Sequence, residues 1–219
     1  MSDNPSSLDS RAFRPLRCVP FEGFMRNLVR ETVALLGALR VRDPVTSEHC
    51  ERTRGLSLEL GMACGLSEHE LSVLSLASQL HDIGKIGVPD SILMKPGRLD
   101  DEETRLMRQH SRKGYDILCA IPNERAIEVA RVVLSHHEAA DGSGYPDGLK
   151  GEAIPPLARI VAIVDAYDAM GSARPYHRPR THAQIMNILL EEQPFRYDSH
   201  VLGKFERVIA RSSFRALDA

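Results

Sequence analysis

The stretch ASQLHDIGKIGVPD, residues 77–90, sets an imidazole, a carboxylate and an ammonium at the end of an apolar run. Leu74, Leu76, Ala77 and Leu80 read as core, so His81 and Asp82, which follow them, are expected to be partly buried. Burying such groups is costly unless they are paired, hydrogen-bonded or bound to a metal. Adjacent helical residues point about 100° apart, because a turn takes roughly 3.6 residues. One member of the pair can then ligate an ion while the other reaches between that ion and a second. A His-Asp dipeptide alone reads equally well as a surface pair at a helix end. The decision rests on whether the rest of the chain supplies partners.

Composition sets the frame. The chain has 219 residues, 42% hydrophobic and 26% charged, which suits one sizeable domain of a soluble globular protein. A net charge of -2 offers no strong basic field for a nucleic acid polymer. No apolar run approaches a membrane span, and the polar N-terminus is unlike a secretory signal. Cys18, Cys50, Cys64 and Cys119 show no close CxxC spacing, so neither a zinc site nor a disulfide framework is read from them. The expectation is a reduced, cytoplasmic protein without a membrane segment.

Residues 1–20, rich in Ser, Pro and Asp, read as a flexible tail, and residues 21–219 as one helical domain. Phe21, Phe24, Leu28, Leu35 and Leu39 fall close to one helix face. Asp43 and Pro44 predict an N-cap and a first helical position for a helix carrying His49 and ending near Gly65. Ser67 with Glu70, and Asp100 with Glu103, have capping-box spacing. They open the helices leading to His81-Asp82 and to His110. Asn123 begins a helix ending at His136-His137. EAADGSGYPDGLKGEAIPP is a Gly- and Pro-rich loop. LARIVAIVDAYDAM is long enough to favour a buried helix over a strand, and Thr181 and Asp198 cap two more helices. The fold class expected is all-α, a compact bundle without repeats.

His49, His81, His110, His136 and His137 fall at or near the ends of different helical segments, and Asp165 lies in the apolar helix. With Asp82 they make seven candidate ligands, too many for one ion and about right for two. Imidazoles with carboxylates suit Fe, Mn, Zn or Ni better than Ca or Mg. Two ions sharing a carboxylate, usually about 3.5–4 Å apart, form the standard clamp for phosphate-ester hydrolysis. Asp82 would be shared, His81 would hold one ion, and Lys85 would face the phosphate. His69, His182 and His200 lie in or beside first helical turns and read as surface, and Cys50 reads as packing.

The motifs HDIGK, HHEAADGSGYP and RIVAIVDAYDAM resemble the HD-GYP family of bacterial phosphodiesterases, over a span from about Arg42 to about Tyr197. The resemblance implies an HD-type helical bundle with a central binuclear metal site, Fe or Mn, that hydrolyses cyclic di-GMP to linear pGpG, or to GMP where a second cut follows. It implies His49, His81, Asp82 and Asp165 at the first metal, and Asp82, His110, His136 and His137 at the second. Lys85 matches the family's catalytic-site lysine, Gly144 and Tyr145 its signature loop, and Arg174 its phosphate-contacting arginine. Where relatives commonly carry Lys or Arg three residues after that arginine, this chain has His177. Family members with a third ion use a glutamate one turn before the first histidine; here that position is Val45, so two ions are expected. A cyclic-dinucleotide sensor of little turnover is the competing reading, and an HD phosphohydrolase for another nucleotide is a third. A signalling protein partner and a homodimer both remain open on the sequence.

Overall fold

The computed structural model describes residues 21–172 and 178–218, with side chains from Thr32 onward. The expected 1–20 tail, Arg174 and His177 lie outside the described residues. The described chain is built of α1 Phe21–Arg42, α2 Pro44–Cys64, α3 Glu68–Leu80, α4 Asp90–Leu93, α5 Asp101–Arg108 and α6 His110–Cys119. Then come α7 Glu124–Ser135, α8 Pro156–Gly171, α9 His182–Arg196 and α10 Ser199–Ile209, with 3₁₀ turns at Ile83–Gly87 and Gly151–Ala153. No strand occurs among the described residues.

The start signals act as their chemistry predicts. Asp43 accepts from the Thr46 amide, and Pro44 follows at the first helical position. Ser67–Glu70, Asp100–Glu103 and Thr181–Gln184 each form a complete capping box. Asn123 and Asp198 cap α7 and α10. Each cap satisfies main-chain donors that a helix start leaves open, worth about 1 kcal/mol.

α8 is the axis of the bundle and packs against α2, α3, α7, α9 and α10. Its Ala158, Ile160, Val161, Ile163, Val164 and Tyr167 are all buried, on more than one face. This is why the segment is apolar almost throughout instead of striped. The core continues through Leu56 and Leu60 of α2, Leu74, Ala77 and Leu80 of α3, and Val129 and Val133 of α7. Each fully buried aliphatic side chain contributes about 1.5–3 kcal/mol through the hydrophobic effect. Of the α1 face read from the sequence, Leu39 is buried and Leu35 is partly buried against the core.

Two close approaches tie the site to this frame. A Cβ on Gly84 would stand 1.9 Å from the His110 carbonyl oxygen and 2.5 Å from the Gly114 nitrogen. The turn after His81-Asp82 therefore lies directly on α6. A Cβ on Gly144 would stand 2.3 Å from the Ala139 nitrogen and 2.5 Å from the Glu138 Cα, so the loop after α7 doubles back on its own start. In both places only glycine removes the steric conflict.

Candidate metal centre

The helix ends converge. α3 finishes at Leu80, so His81 is its C-cap and Asp82 the residue before the 3₁₀ turn. The pair stands at the helix end, as the sequence indicated, and just past its last turn, where the chain is already turning. His136 is likewise the C-cap of α7, and His110 stands where α5 gives way to α6. His49 belongs to α2, and Asp165 to α8.

All seven predicted ligands come together. His49 Nε2 lies 2.9 Å from Asp165 Oδ1, and His81 Nε2 lies 3.7 Å from the same oxygen. Asp82 reaches both ways: Oδ2 is 3.4 Å from His81 Nε2, and Oδ1 is 3.5 Å from His110 Nε2. His110 Nε2 is 3.4 Å from His136 Nε2, and the His136 and His137 rings stand 3.9 Å apart. Two donor groups result, His49 with His81 and Asp82, and His110 with His136 and His137, with donor atoms of each within 4.8 Å of one another.

The residues fit transition-metal binding. His81 Nε2 is buried without a hydrogen-bond partner, a costly state for a ring nitrogen unless an ion takes it. The Nδ1 atoms of His81, His110 and His136 face the main-chain carbonyls of Ser78 at 2.8 Å, Met107 at 2.9 Å and Val133 at 2.6 Å. Such a bond places the proton on Nδ1 and leaves Nε2 as the ligand atom. Helix ends provide these carbonyls because their last four have no partner within the helix.

Electrostatics divide the centre. Burial lowers His110, and burial with the neighbouring histidines holds His136 well below the usual range. Burial also takes His137 down to about 3. These three are neutral and offer lone pairs. On the other side burial works against charge, but carboxylate contacts outweigh it. His49 is raised by its bonds to Asp165 and Asp168, and His81 is raised well above its ordinary value by Asp82. Against the same burial, Lys85 and His81 hold Asp82 well below the carboxylate range.

Lys85 Nζ lies 2.7 Å from Asp82 Oδ2, on the 3₁₀ turn. That turn is pinned from both flanks. Arg42, at the end of α1, donates to the carbonyls of Ile86 and Val88 and pairs with Asp90 at 2.6 Å. Lys113 of α6 donates to the Gly87 carbonyl at 2.6 Å. In the signature loop, Tyr145 puts its ring 4.8 Å from that of His137, and the Arg108 guanidinium lies 5.0 Å over the Tyr145 ring.

Sequence reasoning missed several supporting residues. Glu138 is buried, and its carboxylate accepts from the amides of Asp147 at 2.8 Å and Leu149 at 2.9 Å, which fastens the loop bearing Gly144 and Tyr145. Asp168 is buried against His49. The signal was available: Asp168 follows Asp165 by three residues, on the same face of an apolar helix. His69 pairs with Glu128 at the surface and His200 is exposed, while His182 bonds the Tyr167 hydroxyl at 2.8 Å. Cys50 is buried in the core.

The chain belongs to the HD domain family, whose model matches residues 34–201. Over 149 residues it is 50% identical to the cyclic di-GMP phosphodiesterase response regulator RpfG of Xanthomonas campestris pv. campestris, a match covering 67% of this chain and 39% of that protein. Over 160 residues it is 41% identical to the 3'3'-cGAMP-specific phosphodiesterase 2 of Vibrio cholerae, covering 73% of this chain and 30% of that protein. The chain thus spans well under half the length of these relatives. The solved structure of Bd1817, an HDG"Y"P protein from Bdellovibrio bacteriovorus, shares the fold with a TM-score of 0.61 at 20% identity, over 84% of this chain and 60% of that one. The likeness to HD-GYP proteins read from the motifs stands on these matches. No helix among the described residues is long and apolar enough to cross a membrane.

Proposed function

We propose that this chain is a metal-dependent phosphodiesterase that opens cyclic di-GMP to linear pGpG, with GMP the product where a second cut follows. The observation that carries the proposal is Asp82, whose two oxygens face different histidine groups at 3.4 and 3.5 Å. His49, His81, Asp82 and Asp165 would hold one ion, and Asp82, His110, His136 and His137 a second, with Fe or Mn suited to such ligands. When bound, the ions neutralise charge on the phosphate and acidify water near neutral pH.

The chain's own residues do the rest. The main-chain bonds behind His81, His110 and His136 hold their rings at fixed angles, so the centre is built before substrate arrives. Lys85 keeps its proton because the attraction of Asp82 outweighs burial, and its ammonium sits where negative charge grows on the phosphoryl oxygens. Tyr145, held by the Glu138-fastened loop, lines one wall. Arg174 and His177 complete the phosphate contacts in this reading. A cytoplasmic location fits a nucleotide second messenger as substrate.

Lys85→Ala is expected to keep both ions and slow hydrolysis by about 10²–10³-fold, the scale of losing one charge-stabilising donor. Turnover at the unaltered rate would remove Lys85 from the reaction. The function itself is tested by incubating the metal-loaded protein with cyclic di-GMP, 3'3'-cGAMP and cyclic di-AMP and separating the products by chromatography. Conversion of cyclic di-GMP fastest of the three supports the proposal. Preference for 3'3'-cGAMP would transfer the substrate to the class named for the Vibrio relative. Full metal loading without cleavage of any would favour a sensor.

A further inference from the structure

His49 differs from the other histidines of the centre in what stands behind it. His81, His110 and His136 use carbonyls in the last turns of helices, but His49 lies in the second turn of α2, where the carbonyls are already bonded within the helix. Its Nδ1 instead faces a carboxylate, Asp168 Oδ2, at 2.7 Å, while Nε2 faces Asp165. Asp168 is itself clamped. Arg52 grips it with two prongs, Nε to Oδ1 at 2.8 Å and Nη2 to Oδ2 at 2.9 Å. The Ser172 hydroxyl donates to Oδ2 at 3.1 Å and accepts from Arg52 Nη2 at 2.7 Å. His49 and Arg52 are three apart on α2, and Asp165 and Asp168 three apart on α8, so the two packed helices present matched pairs.

We propose that Asp168, held by Arg52 and Ser172, is a positioning residue that fixes the proton of His49 on Nδ1 and so strengthens one of the two metal positions over the other. This rests on the metal-centre reading above. With an ion on Nε2 the ring would carry one proton, which Asp168 would hold on Nδ1, the Nε2 proton having passed to solvent. A hydrogen bond to a carboxylate is shorter and roughly twice as strong as one to a neutral carbonyl, and it raises the basicity of the ligating ring. The ion at His49 therefore gains a support that the ion among His110, His136 and His137 lacks. Asp168→Asn leaves one acceptor oxygen for four donor atoms and can present its amide N–H to His49, which selects the wrong tautomer.

The test titrates manganese(II) anaerobically against a chelating indicator. The unaltered protein should take up two ions. Asp168→Asn should weaken one of them by about 10–100-fold and leave the other nearly unchanged. Arg52→Gln, which keeps the carboxylate but loosens it, should weaken the same ion by less, and it decides the matter if Asp168→Asn does not fold. In the zinc-loaded protein the His49 Nδ1 proton should give a downfield proton resonance that Asp168→Asn abolishes, a change that a purely structural role does not produce. Unchanged affinity for both ions in the folded variants, or an equal loss at both, overturns the assignment. Failure of the unaltered protein to bind any ion would instead overturn the metal centre, and the assignment with it.

Discussion

Asp82→Ala is expected to remove both ions and to reduce hydrolysis by more than about 10³-fold, beyond the loss from a single charge-stabilising donor. Among the described residues, Asp82 is the carboxylate that puts one oxygen within 4 Å of each histidine group. Asp165 comes within 4 Å of His49 and His81, and its charge is felt at His137 without such a contact. Without Asp82, each group would be left to hold an ion with one anionic oxygen fewer. The variant also leaves Lys85 without the partner at 2.7 Å. Breaking a fully buried pair costs roughly 3–5 kcal/mol; the partly exposed Lys85 side chain keeps the loss below that range. Elemental analysis after anaerobic purification reads the result. Two ions retained per chain would show that Asp82 is not shared.

Gly84→Ala has the second large effect, on stability and not on charge. The added methyl would meet the His110 carbonyl oxygen at 1.9 Å, which is main chain and cannot rotate aside. The 3₁₀ turn and α6 must separate, and these carry Lys85 and His110. Overpacking of this kind costs about 3 kcal/mol. For a chain of this size that lowers the melting temperature by roughly 6–12 °C. The clash also displaces His110, so the second ion is expected to bind more weakly. A variant melting with the unaltered protein would mean that the turn and the helix do not touch so closely.

Most of the helical frame was legible because its signals are local. A cap needs a Ser, Thr, Asp or Asn and a main-chain amide two or three residues on, and Asp43, Ser67, Asp100, Asn123, Thr181 and Asp198 all act as read. α8 was readable as a helix from its length despite its β-branched residues. That the seven side chains would cluster was readable because buried imidazoles and carboxylates need partners. What the sequence hid was long-range. Arg42 reaches the turn at Ile86 and Val88 from the end of α1. Glu138 catches amides nine and eleven residues ahead of it. Arg52 meets Asp168 only because α2 lies along α8. None of these pairs leaves a periodic trace, so only the folded chain reveals them. The exact ends of α3 and α7 were also hidden, because His81 and His136 keep helical angles while their helices stop just before them.

The number of ions is the central claim. Val45, one turn before His49 on α2, is exposed and supplies no donor atom. Asp43 is taken by the cap, accepting from the Thr46 amide at 3.1 Å and from its hydroxyl at 2.5 Å. Anomalous scattering at the metal edge, from crystals of the metal-loaded protein, decides the question. Two full peaks about 3.5–4 Å apart, one on either side of the Asp82 carboxylate, are predicted. A single peak, or three full peaks in the unaltered protein, would contradict the binuclear account.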